Sequence, residues 1–253
     1  MNCCDNVNRM EFVITYDCTG RCKHCSEGDH VHTGVHLDGE AAANSLYNLM
    51  KSYSLTSVMT FGGEPLMYPD CVYEIHSAAS KLGIPKRQLI TNGYFSKNAS
   101  VIKSVCSNLK KCSVNDVLLS ADAFHQETIP LETVKIFASY LLEYDVPVRL
   151  SPAWLSGREH NNPYNLRTKE IVDEMHSCGV PVSDGNIIFP EGNAIKYLSD
   201  YFDKNTKYVN PYAEDPRNIR TVCIDPDGSV LGGNIYTDDI ITILNNYQNG
   251  ENQ

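Results

Sequence analysis

Short apolar runs alternate with longer amphipathic stretches along this chain, and each apolar run stops at polar residues, glycine or proline. The first run, residues 11–15, is rich in β-branched side chains and reads as a strand. Residues 39–51 follow as a helix, with Asp38 as its cap and Ala41, Leu46, Leu49 and Met50 at apolar positions. The same reading gives strands over 57–61, 87–91, 116–121, 147–152 and 185–189. Helices are expected over 70–82, 100–109, 131–144 and 168–178, the first of them with Cys71, Ile75 and Ala78 at helical spacing.

Strands alternating with helices imply parallel strands joined by right-handed helical crossovers. In such folds ligands sit at the carboxyl ends of the strands. Reading those ends in order gives Cys18, Cys22 and Cys25, then Gly62–Pro65, then Thr91, Asn92 and Gly93, then Ser120, Asp122 and His125, then Ser151, Pro152 and Trp154. For Asn92-Gly93 the competing role is a plain turn, for Asp122 a helix cap, for His125 a structural histidine and for Trp154 core filling. Six strand–helix units fall short of the eight that close a barrel.

The charge balance narrows the partners. Of 253 residues, 31 are acidic and 21 basic, for a net charge of −10, which repels phosphate backbones and argues against nucleic acid. No apolar run approaches the ~18 residues of a membrane span, and no basic amphipathic helix suggests a membrane surface. Ten cysteines without a compact secreted pattern or signal peptide point to the cytoplasm and to free thiols, with small buried hydrophobes as the default role outside the motif.

The chemistry centres on Tyr16-Asp-Cys18-Thr-Gly-Arg-Cys22-Lys-His-Cys25. Three thiolates on a strand-end loop can hold three irons of a four-iron, four-sulfur cluster and leave the fourth open. Zinc is the alternative, with His24, His30, His32 and His36 at hand, but structural zinc sites favour paired Cys-x-x-Cys units and this loop has one. Some forty residues on, Val58-Met-Thr-Phe-Gly62-Gly63-Glu64-Pro65 runs a strand into two glycines, an acid and a proline. Together the two segments resemble the signature of the radical SAM superfamily.

That resemblance implies an α/β fold, an open three-quarter (β/α)6 barrel with a short C-terminal extension, here divided at residues 1–190 and 191–253. It implies one [4Fe–4S] cluster on Cys18, Cys22 and Cys25, with S-adenosylmethionine on the open iron. Gly62, Gly63, Glu64 and Pro65 would meet the methionine amino group, His24 would pack near adenine, and Asn92, Ser120 and Asp122 would face the rest of the cofactor. Asp122 and His125 are the candidates for a catalytic role. The implied chemistry is one-electron cleavage of S-adenosylmethionine to a 5′-deoxyadenosyl radical, fed by a flavodoxin- or ferredoxin-like donor. Pro190-Glu-Gly-Asn-Ala194 and a hairpin over 220–234, turning at Asp227-Gly228, resemble the SPASM or twitch extension of peptide-modifying members. No cysteine follows Cys223, which argues against a second cluster. The substrate implied is a peptide or protein side chain; the alternatives are a small molecule such as a nucleoside or metabolite, or a regulatory protein that binds cluster and cofactor without turnover. A helix over 238–247 and a polar tail over 249–253 would end the chain.

Overall fold

The structure, a computed structural model, describes residues 3–203, 205–208, 210 and 212–247; the tail expected over 249–253 lies outside them. Among the described residues there are ten strands: β1 (Arg9–Val13), β2 (Ser57–Phe61), β3 (Lys86–Thr91), β4 (Asp116–Leu119), β5 (Val148–Leu150), β6 (Ala153–Leu155), β7 (Asn186–Ile188), β8 (Thr221–Ile224), β9 (Ser229–Val230) and β10 (Gly233–Asn234). Between and after them run the helices α1 (Gly39–Leu49), α2 (Pro69–Lys81), α3 (Ala99–Lys111), α4 (Leu131–Glu143), α5 (Pro163–Ser177), α6 (Asn193–Tyr197) and α7 (Ile240–Asn246).

Six strands make one parallel sheet in the order β5-β4-β3-β2-β1-β8. Alternate residues of each strand, such as Met10 and Phe12, Leu89, Val117 and Leu119, and Val222 and Ile224, are fully buried against the helices. Burying such a side chain contributes about 1.5–3 kcal/mol, so this shared layer dominates the stability of the sheet. Asp38 caps α1 by accepting the Ala41 N–H at 2.8 Å, and Asn98 caps α3 through Ser100. The result is the α/β partial barrel that the sequence implies, with helices between successive parallel strands.

Three local departures have physical causes. The expected fifth strand divides at Ser151-Pro152: β5 pairs with β4, while β6 pairs with β7 in a separate ladder. Proline cannot donate to a ladder, and the Pro152 carbonyl instead accepts the Asn186 N–H at 2.9 Å. Helix α5 starts at Pro163 rather than 168, because Asn162 accepts the Asn165 N–H and proline suits the first helical turn. The first arm of the expected C-terminal hairpin is β8, which lies parallel beside β1 in the main sheet. The chain does turn at Asp227-Gly228, but the antiparallel ladder is β9–β10, whose turn residues Leu231 and Gly232 both take positive φ.

Candidate active site at the carboxyl ends of the strands

The loop leaving β1 carries the three cysteines. Cys18 and Cys22 are buried and Cys25 is half-buried. The Gly20 N–H donates to Cys18 Sγ at 3.3 Å, and Cys25 Sγ lies 3.3 Å from His30 Nε2. A Cβ on Gly20 would stand 3.3 Å from Cys22 Sγ and 3.7 Å from Cys18 Sγ, so both sulfurs border the open side of this glycine. Burial pushes the Cys18 thiol up to about 11 and raises Cys22 and Cys25 as well. Bound metal reverses this preference, since a coordinating thiol is deprotonated outright. Three such thiols on one loop, two of them bordering a residue without a side chain, fit a cluster.

Gly62 and Gly63 bring the end of β2 against the segment that leads into this loop. The Gly63 N–H donates to the Thr15 carbonyl at 2.7 Å and the Glu64 N–H to the Asp17 carbonyl at 2.8 Å. A Cβ at Gly62, where φ is +138°, would meet the Thr15 oxygen at 2.4 Å; one at Gly63 would meet the Asp17 oxygen at 2.0 Å. Both glycines are therefore required by backbone-to-backbone contact. Pro65 opens a single 3-10 turn capped by Glu64. The Glu64 carboxylate is fully buried and accepts from the Leu66 N–H at 3.0 Å, the Thr91 hydroxyl at 2.7 Å and the Asn92 N–H at 2.8 Å. It thus ties the ends of β2 and β3 together. Burial pushes its pKa up to about 7 in spite of those donors.

Asn92 accepts the Tyr94 N–H at 2.8 Å, forming the turn that its sequence suggests, and also reaches the cysteine loop. Its Nδ2 donates to Thr19 Oγ1 at 3.2 Å and lies 3.6 Å from Cys18 Sγ. Asp122, fully buried beyond β4, accepts from four donors. They are the Phe124 and His125 N–H groups, His125 Nδ1 at 2.9 Å, and the Ala153 N–H at 2.9 Å. Burial alone would raise this carboxyl, but His125, with its charge and hydrogen bonds, holds it well below the usual range. The capping role is therefore occupied, and Asp122 also fixes His125 and the start of β6. Ser120 is half-buried and anchored by its backbone N–H to the Thr91 carbonyl at 2.8 Å. The His24 ring packs 4.9 Å from Phe124 and 4.9 Å from His125, and burial lowers its pKa to about 4, so it is neutral near pH 7.

Several contributors escape sequence reading. Gly192, with φ at +52°, brings the segment before α6 onto the cysteine loop, where its Cβ would lie 2.2 Å from the Ser26 carbonyl. Asn193 then donates its N–H to the Cys25 carbonyl at 2.9 Å and its side chain to the Cys22 carbonyl at 3.3 Å. Asp17, 2% exposed, accepts from the Thr33 and Gly34 N–H groups and from the Tyr68 hydroxyl. Of the other histidines considered as zinc ligands, His32 is exposed, His36 stacks on Tyr68 at 4.2 Å, and His30 meets Cys25 as described.

A family model described as the radical SAM superfamily matches residues 12–196, from inside β1 to α6. The chain belongs to the radical SAM superfamily. Its cofactors are accordingly a [4Fe–4S] cluster and S-adenosylmethionine. Solved structures similar to this radical SAM protein include Streptococcus suis SuiB bound to S-adenosylmethionine (16% identity, TM-score 0.63, 96% of this chain and 66% of that one). Two others are anSMEcpe with bound AdoMet and the Cp18Cys peptide (15%, 0.57, 96% and 81%) and BtrN in complex with AdoMet and 2-DOIA (14%, 0.51, 95% and 82%). The chain spans just under two thirds of the length of SuiB. No curated protein matches it.

The remaining features of this radical SAM protein surround that centre. Trp154 is 2% exposed and its indole N–H donates to the Asp184 carbonyl, so it fills the core. Cys4, Cys71, Cys106 and Cys112 are buried, as small hydrophobes should be, whereas Cys178 and Cys223 are exposed. On the sheet face turned away from the helices, Arg9 bonds Gln88, Gln88 bonds Asp116, and Asp116 accepts two bonds from Arg149. This polar band lies toward the amino ends of the strands, opposite the cysteines. Among the described residues no helix is long and apolar enough to cross a membrane.

Proposed function

We propose that this chain is an enzyme in which Cys18, Cys22 and Cys25 ligate the cluster. His24, Gly62, Gly63, Glu64, Pro65, Asn92, Ser120 and Asp122 surround S-adenosylmethionine. When bound, the pair supplies a 5′-deoxyadenosyl radical after one-electron reduction, and that radical takes a hydrogen atom from the substrate. The observation that carries the reading is the convergence of two sequence-distant segments: the Gly62–Gly63 backbone lies hydrogen-bonded against Thr15–Asp17, immediately before Cys18. Glu64 braces this junction from within, while the half-buried Gly62 and Gly63 are left to meet the methionine amino group. Asp122 holds His125 by its Nδ1–H, presenting Nε2 and the adjoining His24 ring toward the site.

The substrate we favour is a peptide or protein side chain, supported by the fold shared with anSMEcpe, whose structure holds a peptide. A small molecule is the second reading, supported in the same way by BtrN with 2-DOIA. The segment over 220–234 reads as a SPASM- or twitch-like extension, with Cys223 as its one cysteine. A flavodoxin- or ferredoxin-like protein is the expected electron donor.

The experiment is anaerobic reconstitution with iron and sulfide, followed by S-adenosylmethionine and dithionite, with 5′-deoxyadenosine quantified by mass spectrometry. Product from the wild type and none from the Cys18→Ala, Cys22→Ala, Cys25→Ala triple variant is the expected result. Iron retention and cleavage by the triple variant would overturn the ligand assignment.

A further inference from the structure

Beside the cysteine loop lies a second constellation with ligand chemistry of its own. Cys22, His24 and His125 each offer one donor atom, and the three atoms lie within 4.8 Å of one another. His24 Nδ1 is buried and bonds to nothing among the described residues. A buried imidazole nitrogen of this kind has a lone pair suited to a metal ion. The partner histidine is already oriented: His125 donates Nδ1–H to Asp122 Oδ2 at 2.9 Å, which leaves Nε2 as the free lone pair. A carboxylate behind a histidine is the arrangement that supports metal-bound imidazole and raises its basicity.

We infer that the cluster-free chain binds a single divalent transition ion, zinc foremost, through Cys22, His24 and His125, and that this ion and the cluster exclude one another. One thiolate with two imidazoles is a soft-to-borderline set that suits zinc, with a fourth position left for water. Tetrahedral bonds to such ligands place the donor atoms roughly 3.3–3.6 Å apart, so the present spacing closes by about 1 Å, within reach of side-chain rotation. Binding expels the Cys22 proton, together with any second proton on the His125 ring, to solvent. Exclusion follows from bookkeeping of the sulfur: the Cys22 thiolate held by zinc is withheld from iron. Cys18 and Cys25 take no part, which separates this site from any three-cysteine zinc site.

The test uses cobalt(II) as an optical probe on cluster-free protein under anaerobic, metal-free conditions. One equivalent of cobalt should produce a thiolate-to-cobalt charge-transfer band and the visible bands of a four-coordinate ion, both bleached by added zinc. The Cys18→Ala, Cys25→Ala double variant should keep those bands, whereas Cys22→Ala, His24→Ala and His125→Ala should lose them while remaining folded by circular dichroism. Where an alanine variant fails to fold, His24→Gln or His125→Gln takes its place. Asp122→Asn should weaken cobalt binding by roughly 10–100-fold. Zinc-loaded wild type should assemble no cluster from iron and sulfide until a chelator is added. Bands that survive loss of both histidines, bands lost with Cys18 and Cys25, or no thiolate band at all would overturn the site. Equal rates of cluster assembly with and without zinc would overturn the exclusion. None of these readouts depends on turnover of the loaded enzyme.

Discussion

The side chain of Asn193 donates to the Cys22 carbonyl at 3.3 Å across 171 positions of sequence, and its backbone N–H reaches the Cys25 carbonyl at 2.9 Å. The loop that carries the cysteines is therefore shaped by a residue distant in sequence, at the start of α6. A buried donor that satisfies two loop carbonyls sets where the sulfurs stand. Asn193→Ala should cost about 1 kcal/mol of stability, in line with one net hydrogen bond. The sharper effect should be on the loop itself: lower iron content after reconstitution and faster iron loss to a chelator. Iron retention equal to wild type would show that the strap does not shape the loop.

Gly20 separates folding from cluster loading. Its Cβ would meet only the ends of side chains, Ile129 Cδ1 at 3.2 Å and Cys22 Sγ at 3.3 Å. Gly20→Ala should thus fold with a loss of about 1 kcal/mol or less, yet bind less iron and sulfide, because the methyl group enters the space between two ligands. Gly63→Ala should behave differently. It drives a methyl into the Asp17 carbonyl, and thermal denaturation should show a loss of about 3 kcal/mol or no folded protein.

Glu64 imposes a pH dependence with an unusual sign. Its carboxyl is raised from 4.5 to about 7 by burial, so the folded chain holds a proton that the unfolded chain releases between those values. Stability contributed by this group is full below about pH 4.5 and declines as pH rises through about 7, on the order of 3 kcal/mol in all. Urea denaturation from pH 4.5 to 7.5 should show that decline in the wild type relative to Glu64→Gln, which has no proton to lose. Parallel profiles for the two proteins would refute the assignment.

Asp122 works in the opposite direction. Its carboxyl is depressed, so its contribution is present above the ordinary value of 3.8 and vanishes as pH falls below it. Asp122→Ala leaves the His125 imidazole and the Ala153 N–H without their acceptor. The loss should be about 3–5 kcal/mol at neutral pH, with much of the acid sensitivity of the wild type gone. A loss below about 1 kcal/mol would mean that Asp122 is not the clamp between β4 and β6.

Much of the fold was legible because strands buried on the helix side advertise themselves. Ser57–Phe61 is a strand with the bounds its residues suggest, and α1 to α4 begin within a residue of their expected starts. The cysteine loop and Gly62–Pro65 were legible for a different reason: their residue types are costly anywhere else. What stayed hidden depends on contacts between distant segments. Asn193 looks like any polar residue after a glycine, and Asp17 like any turn aspartate, until the carbonyls and N–H groups around them are known. Pro152 hid the division of the fifth strand, since a proline at a strand end and a proline inside a bent strand look alike in sequence. The parallel pairing of β8 with β1 was masked by Asp227-Gly228, which marks a real turn but not the partner of the strand before it.

That pairing has a consequence for how the protein is born. β1 carries the loop for the metal centre, yet it is flanked on one side by β8, which leaves the ribosome much later. Asn193, which straps the same loop, also emerges late. Until β8 has emerged, the cysteines therefore hang from an unfinished edge strand. Assembly of the cofactor belongs to the interval after β8 has docked, and delivery before then would find no finished cradle.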